Sequence, residues 1–210
     1  LRMEYLSGIF GRDNIRDCSK ELIKAREIKT DWEIEVLREN SQLAEKQMEE
    51  AARHISVGMS EEDIMHYFSI AGFNLSKEVH GIRQAHTYSE YYSTAFIPRK
   101  HVMVDGDVVR LDGGVIRKGY SSDLGRSFVV GKNLAKEREE IYELMLKAFD
   151  IGMDMIGPGV KPCDVFNAML MCVQKKVPEF KRGHFGHSLG CIRGEEYPFI
   201  APGNVSPFQP

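Results

Sequence analysis

Apolar residues recur at helical spacing in the first part of the chain and change to strand-like runs in its middle. Ile34, Leu37, Leu43, Ala44, Met48 and Ala51 follow a helical stripe, and Thr30-Asp31-Trp32-Glu33 supplies a hydroxyl N-cap with acidic residues in the first turn. Ser56-Val57-Gly58 ends this helix. Ser60-Glu61-Glu62-Asp63 caps a second, whose apolar surface comes from Ile64, Met65, Phe68 and Ile70. From Val102 to Val130 the pattern is that of strand. Asp105-Gly106-Asp107 turns the chain into Val108-Val109-Arg110-Leu111, Arg117-Lys118-Gly119 forms a second turn, and Tyr120 to Val130 returns as the partner strand of a hairpin. Two further helices, about 134–155 and 162–175, are separated by Gly157-Pro158-Gly159. Residues 183–210, rich in Gly, Pro and aromatics, read as short strands and loops. Residues 1–30 carry mixed charge without a clear period and read as a linker, or as an element packed on something else. The whole is an α+β arrangement, with one domain over 31–210.

Composition narrows the function classes. With 42% hydrophobic and 28% charged residues in 210, the chain is ordinary for a soluble globular protein. A net charge of -3 and a pI near 6.2 argue against a nucleic-acid partner. No run approaches the ~18 apolar residues of a membrane span, and no signal-peptide pattern opens the chain. Cys18, Cys163, Cys172 and Cys191 form no CxxC pair, which argues against a thiolate zinc site and a disulfide framework. A reducing, cytoplasmic setting is the simplest expectation.

The candidate chemistry lies in two segments. Asp112 sits within an apolar strand, where an unpartnered carboxylate would cost several kcal/mol. Asp123 falls on the returning strand, at a spacing that brings the two carboxylates together. Adjacent anions repel, so one is protonated or a cation lies between them, and hard divalent ions favour carboxylate oxygen. The alternative is that each Asp bonds to backbone or to an arginine such as Arg126; spacing leaves both open. In Gly183-His184-Phe185-Gly186-His187-Ser188-Leu189-Gly190, glycines flank His187 and allow close backbone approach. An imidazole beside two carboxylates suits Mn, Co, Zn or Fe better than Mg or Ca. A hydrogen-bonded structural histidine is the competing reading.

Together these segments resemble the catalytic domain shared by methionine aminopeptidase, aminopeptidase P, prolidase and creatinase. The family pattern is a strand Asp, a Gly-Tyr, and a second Asp eleven residues after the first, followed by Arg and a small hydroxyl residue; here these are Asp112, Gly119-Tyr120, Asp123, Arg126 and Ser127. Its Gly-His-x-hydrophobic-Gly motif matches Gly186-His187-Ser188-Leu189-Gly190. Further matches are Ile28-Lys29-Thr30 with Glu33-Ile34 and Leu37-Arg38, Gly58-Met59-Ser60-Glu61, Gly159-Val160-Lys161-Pro162, and Glu195-Glu196-Tyr197-Pro198-Phe199-Ile200.

The resemblance implies a pita-bread fold: a curved, mostly antiparallel sheet backed by helices, incomplete at its C-terminal end. It implies a metal-dependent hydrolase with Asp112, Asp123 and His187 as metal ligands. Two divalent ions (Mn, Co, Zn or Fe) would hold a bridging hydroxide that attacks the scissile carbonyl. The substrate implied is a peptide with Pro at its second position, as for an Xaa-Pro aminopeptidase or prolidase, and the branch is usually homodimeric. The family's two Glu ligands fall beyond Pro210, and its extra N-terminal domain would precede Leu1, so residues 1–30 read as a remnant leading from it. Three positions depart from the family pattern. His86 is the candidate for a substrate-binding histidine that does not align cleanly. Glu195 stands where many members carry histidine. His184, a candidate transition-state donor, precedes His187 by three positions rather than four. The alternatives are a pita-bread binding module without catalysis, or creatinase-like hydrolysis of a small non-peptide substrate.

Overall fold

The computed structural model describes residues 2–76, 81–83, 101–191 and 196–210. His86 and Glu195 lie outside them. The N-terminal segment holds two nine-residue helices, α1 (Arg2–Phe10) and α2 (Ser19–Glu27). Helix α2 buries none of its residues, so it imposes no apolar period on the sequence.

Helices α3 (Asp31–Ala52) and α4 (Glu61–Ser76) pack as a pair. Thr30 and Glu33 form a reciprocal capping box: Glu33 N–H donates to Thr30 Oγ1 at 3.3 Å and Thr30 N–H to Glu33 Oε2 at 2.8 Å. Ser60 and Asp63 repeat the arrangement at the start of α4, with Asp63 in the place of the usual Glu.

Strand β2 (Val108–Arg117) is the centre of an antiparallel sheet, paired with β1 (Gly81–Arg83), β3 (Tyr120–Ser121) and β4 (Leu124–Val129). The two-residue turn into β3 has positive φ at Lys118 (52°) and Gly119 (80°), as the twist of a tight hairpin requires. Asn40 on α3 braces it, donating to the carbonyls of Tyr120 at 2.9 Å and Arg117 at 3.3 Å.

The core lies between this sheet and the helix pair: Val109, Leu111 and Val130 meet Met48, Ala51, Ile64, Phe68 and Met103. Val109 and Leu111 are buried, whereas Arg110 and Asp112 between them are half-buried on the opposite face. Asp112 therefore does not point into the apolar core, as a run of apolar neighbours suggested. Period-two alternation carries it to the other side of the sheet.

Helices α5 (Lys136–Met155) and α6 (Pro162–Gln174) form a second pair, joined through Ala148, Cys172 and Val173. The hairpin β5 (Gly186–Ser188) and β6 (Glu196–Ile200) packs against α6 and α2, with a bulge between His187 and Ser188. Residues near the C-terminus tie back to the Gly157-Pro158-Gly159 break: Gly159 N–H donates to the Phe208 carbonyl and Phe208 N–H to that of Val160, both at 2.9 Å.

Candidate metal centre

The hairpin register brings the two sequence-marked aspartates to one face. Asp112 lies opposite Gly125. Extending that register by one pair beyond Leu124 sets Asp123 opposite Gly114, two positions from Asp112 and hence on the same side of the sheet. Gly114 has no alternative here, since a Cβ would collide with the Ser122 carbonyl. Ser122 is fully buried and held to Val115, accepting the Val115 N–H on Oγ at 3.0 Å and donating its own N–H to the Val115 carbonyl at 3.0 Å.

The two carboxylates meet different partners. Asp123 Oδ2 lies 3.4 Å from His187 Nε2, both side chains being nearly buried. His187 Nδ1 is 3.0 Å from the Ser188 carbonyl. A carbonyl only accepts, so Nδ1 carries the proton and donates it there. This tautomer leaves the Nε2 lone pair facing a carboxylate oxygen, a juxtaposition that asks for a cation: a proton on Nε2, or a metal ion. Asp112, by contrast, is engaged by the Arg110 guanidinium from two positions back on its own strand. Among the described residues no three His, Cys, Asp or Glu side chains stand together closely enough to hold an ion. Carboxylate oxygen and imidazole nitrogen are nevertheless the donors a divalent transition metal takes, and Asp123 with His187 fits it.

Arg126, the alternative partner for the aspartates, faces α3 and reaches Glu45 at 3.2 Å. The aromatic ring of Phe199 backs the histidines: ring centroids lie at 5.5 Å from His184 and 5.6 Å from His187, and the two imidazoles meet edge-on at 5.8 Å. His184 thus stands beside the candidate ligand. Its carbonyl accepts from Arg182 Nε at 2.8 Å. Desolvation, and then the like charge of Arg110, lower the Arg182 pKa, with Asp112 opposing.

Glu196, from the Glu195-Glu196-Tyr197-Pro198-Phe199-Ile200 match, is turned inward. Its buried carboxylate receives Arg26 Nε at 3.1 Å, Lys29 Nζ at 3.2 Å and the Cys191 N–H at 3.0 Å. Arg110, Arg182 and Arg26 carried no motif-level signal as site residues, and Lys29 stood out only within the Ile28-Lys29-Thr30 match. Only for Arg110 was one available: a cation two residues from a strand aspartate shares its face.

The chain belongs to metallopeptidase family M24, whose profile matches residues 35–210. Among curated relatives, it is 28% identical over 212 residues to the putative dipeptidase YkvY of Bacillus subtilis, covering 97% of this chain and 56% of that protein. Among solved structures, the X-Pro aminopeptidase of Thermotoga maritima superposes with a TM-score of 0.87 at 22% identity, covering 98% of this chain and 58% of that one. The prolidase of Pyrococcus furiosus gives a TM-score of 0.80 at 21% identity, with 92% and 58% covered. The fold is therefore the pita-bread fold, represented here in part, since the chain spans rather more than half the length of the relatives it matches. No helix among the described residues is long and apolar enough to cross a membrane.

Proposed function

We propose that the protein is a metal-dependent peptidase acting on Xaa-Pro peptides, with Asp112, Asp123 and His187 as ligands and His184 as a donor to the substrate. The observation that carries this reading is the approach of His187 Nε2 to Asp123 at 3.4 Å, with Nδ1 turned to the Ser188 carbonyl. Family membership supports a divalent ion, and the X-Pro aminopeptidase and prolidase relatives support the substrate class. When bound, such an ion supplies Lewis acidity and a nucleophilic water at neutral pH. The chain's own part is to present an oxygen and a nitrogen on rigid strands, backed by Phe199, with His184 alongside.

The test is metal content and hydrolysis measured together on the full-length protein. A divalent transition metal should co-purify or titrate in. An Xaa-Pro dipeptide or a longer Xaa-Pro peptide should then be cleaved, and the choice between them separates a prolidase from an aminopeptidase P. Asp123→Ala should lower metal affinity by more than the roughly 10- to 100-fold that loss of a ligand-orienting partner costs. A protein that takes up no metal and cleaves neither peptide sinks the reading. One observation favours the second reading, a pita-bread binding module: Asp112 already has an internal cation in Arg110. Peptide binding without metal uptake would select it.

A further inference from the structure

We infer that Lys29, from the segment between α2 and α3, is a positioning residue that fixes the imidazole of His187 through Ser188. The inference rests on the reading of His187 as a metal ligand, but its geometry is independent of any ion. An ammonium has three N–H donors, and Lys29 Nζ has three acceptors in place: the Arg26 carbonyl at 2.5 Å, Glu196 Oε2 at 3.2 Å and Ser188 Oγ at 3.2 Å. Its side chain is only 9% exposed, so these bonds compete with little water. Glu196 is pinned in turn by Arg26 and by the Cys191 N–H, in a seat that exists because Gly190 has no side chain; a Cβ there would overlap the carboxylate.

Ser188 is where this post meets the candidate site. Its hydroxyl takes Lys29, while its carbonyl takes the Nδ1–H of His187. The residue follows the bulge of the β5–β6 hairpin and pairs there with Glu196, so Lys29, bonded to both side chains, clamps the ladder contact just past the irregularity. Without Lys29 that clamp on the Ser188–Glu196 pair is lost, and the Ser188 carbonyl that takes the Nδ1–H is held less firmly. The Nε2 lone pair aimed at Asp123 then depends on a cation more than 150 residues earlier in the chain.

The experiment compares the metal-free full-length protein with Lys29→Met and Ser188→Ala, reading the His187 ring nitrogens by 15N NMR and zinc affinity by calorimetry. The wild type should show a proton on Nδ1, hydrogen-bonded to the Ser188 carbonyl. Both variants should shift population toward Nε2–H and lose roughly 10- to 100-fold in zinc affinity. Ser188→Ala keeps the Lys29–Glu196 ion pair intact, so it decides the matter if Lys29→Met does not fold. A role confined to stability would lower the melting temperature and leave the tautomer unmoved. Wild-type tautomer populations in both folded variants would overturn the inference. If the wild type binds no zinc, the metal reading fails, and the tautomer shift still tests Lys29.

Discussion

Asp112 and Asp123 share one hairpin and one face of the sheet, yet one finds its partner in a neighbour and the other in a distant segment. Arg110 reaches Asp112 along the same strand, an i, i+2 pair that forms as soon as the strand does. Asp123 meets His187 only when the β5–β6 hairpin docks against the sheet. The first pair is local and replaceable; the second reports that the domain has assembled. Under the proposed metal reading, an ion would meet Asp123 and His187 already side by side, whereas Asp112 is engaged by the Arg110 guanidinium.

The most damaging way to separate the two is Gly114→Ala. The added methyl meets the carbonyl of Ser122, and shifting that residue disturbs the bonds its N–H and Oγ make to Val115. Overpacking of this kind costs about 2 kcal/mol. Because Ser122 precedes Asp123, the disturbance should fall on the Asp123–His187 contact and spare Arg110–Asp112. Urea melts should show the loss, and zinc affinity should fall with it. A variant of unchanged stability would show that the hairpin corner has more room than its geometry indicates.

Arg110→Met probes the other side with a smaller effect. The pair is partly exposed, Arg110 at 43% and Asp112 at 26%, so removing it should cost about 0.5–1 kcal/mol in the metal-free protein. Metal affinity should move the opposite way, rising by up to roughly tenfold, or about 1.4 kcal/mol, because no cation need leave Asp112. Weaker metal binding in this variant would mean that Arg110 organises the site rather than competing for it.

What the sequence revealed of this pair follows the range of the interactions. The hairpin was legible because its turn chemistry is local: Lys118 and Gly119 take positive φ between two apolar runs. The Asp123–His187 partnership was legible only as a motif, since nothing in either segment alone names the other. The Arg110–Asp112 pairing was not drawn from the apolar run, although the alternation of Val109 and Leu111 against Arg110 and Asp112 sets the two charges on one face. Helices α1 and α2 were illegible, being short and, in α2, without a buried residue to set a period. The Arg26, Lys29 and Glu196 cluster was illegible for the reason that makes it informative, since its members come from opposite ends of the chain.

A third carboxylate, outside the candidate site, sharpens the contrast between local and assembled partners with the smallest effect. Glu33 is both: it caps α3 locally through Thr30 and accepts from the Tyr120 hydroxyl at 2.7 Å across the sheet. The tyrosine bond is the largest cause of a Glu33 pKa depressed from 4.5 to about 2, and the same bond raises that of Tyr120 to about 12. A depressed carboxylate stabilises the fold above its unfolded pKa, and that contribution is lost as pH falls from about 4.5 through 2; the raised phenol contributes below pH 10 and is lost as pH climbs toward 12. Tyr120→Phe should therefore lower stability near neutrality, with the deficit shrinking toward pH 2. Trp32, the only tryptophan, stands edge-on to Tyr120 at 5.7 Å, so its fluorescence can follow the unfolding. A deficit that stayed constant from pH 6 to pH 2 would assign the loss to the hydroxyl itself rather than to the charge on Glu33.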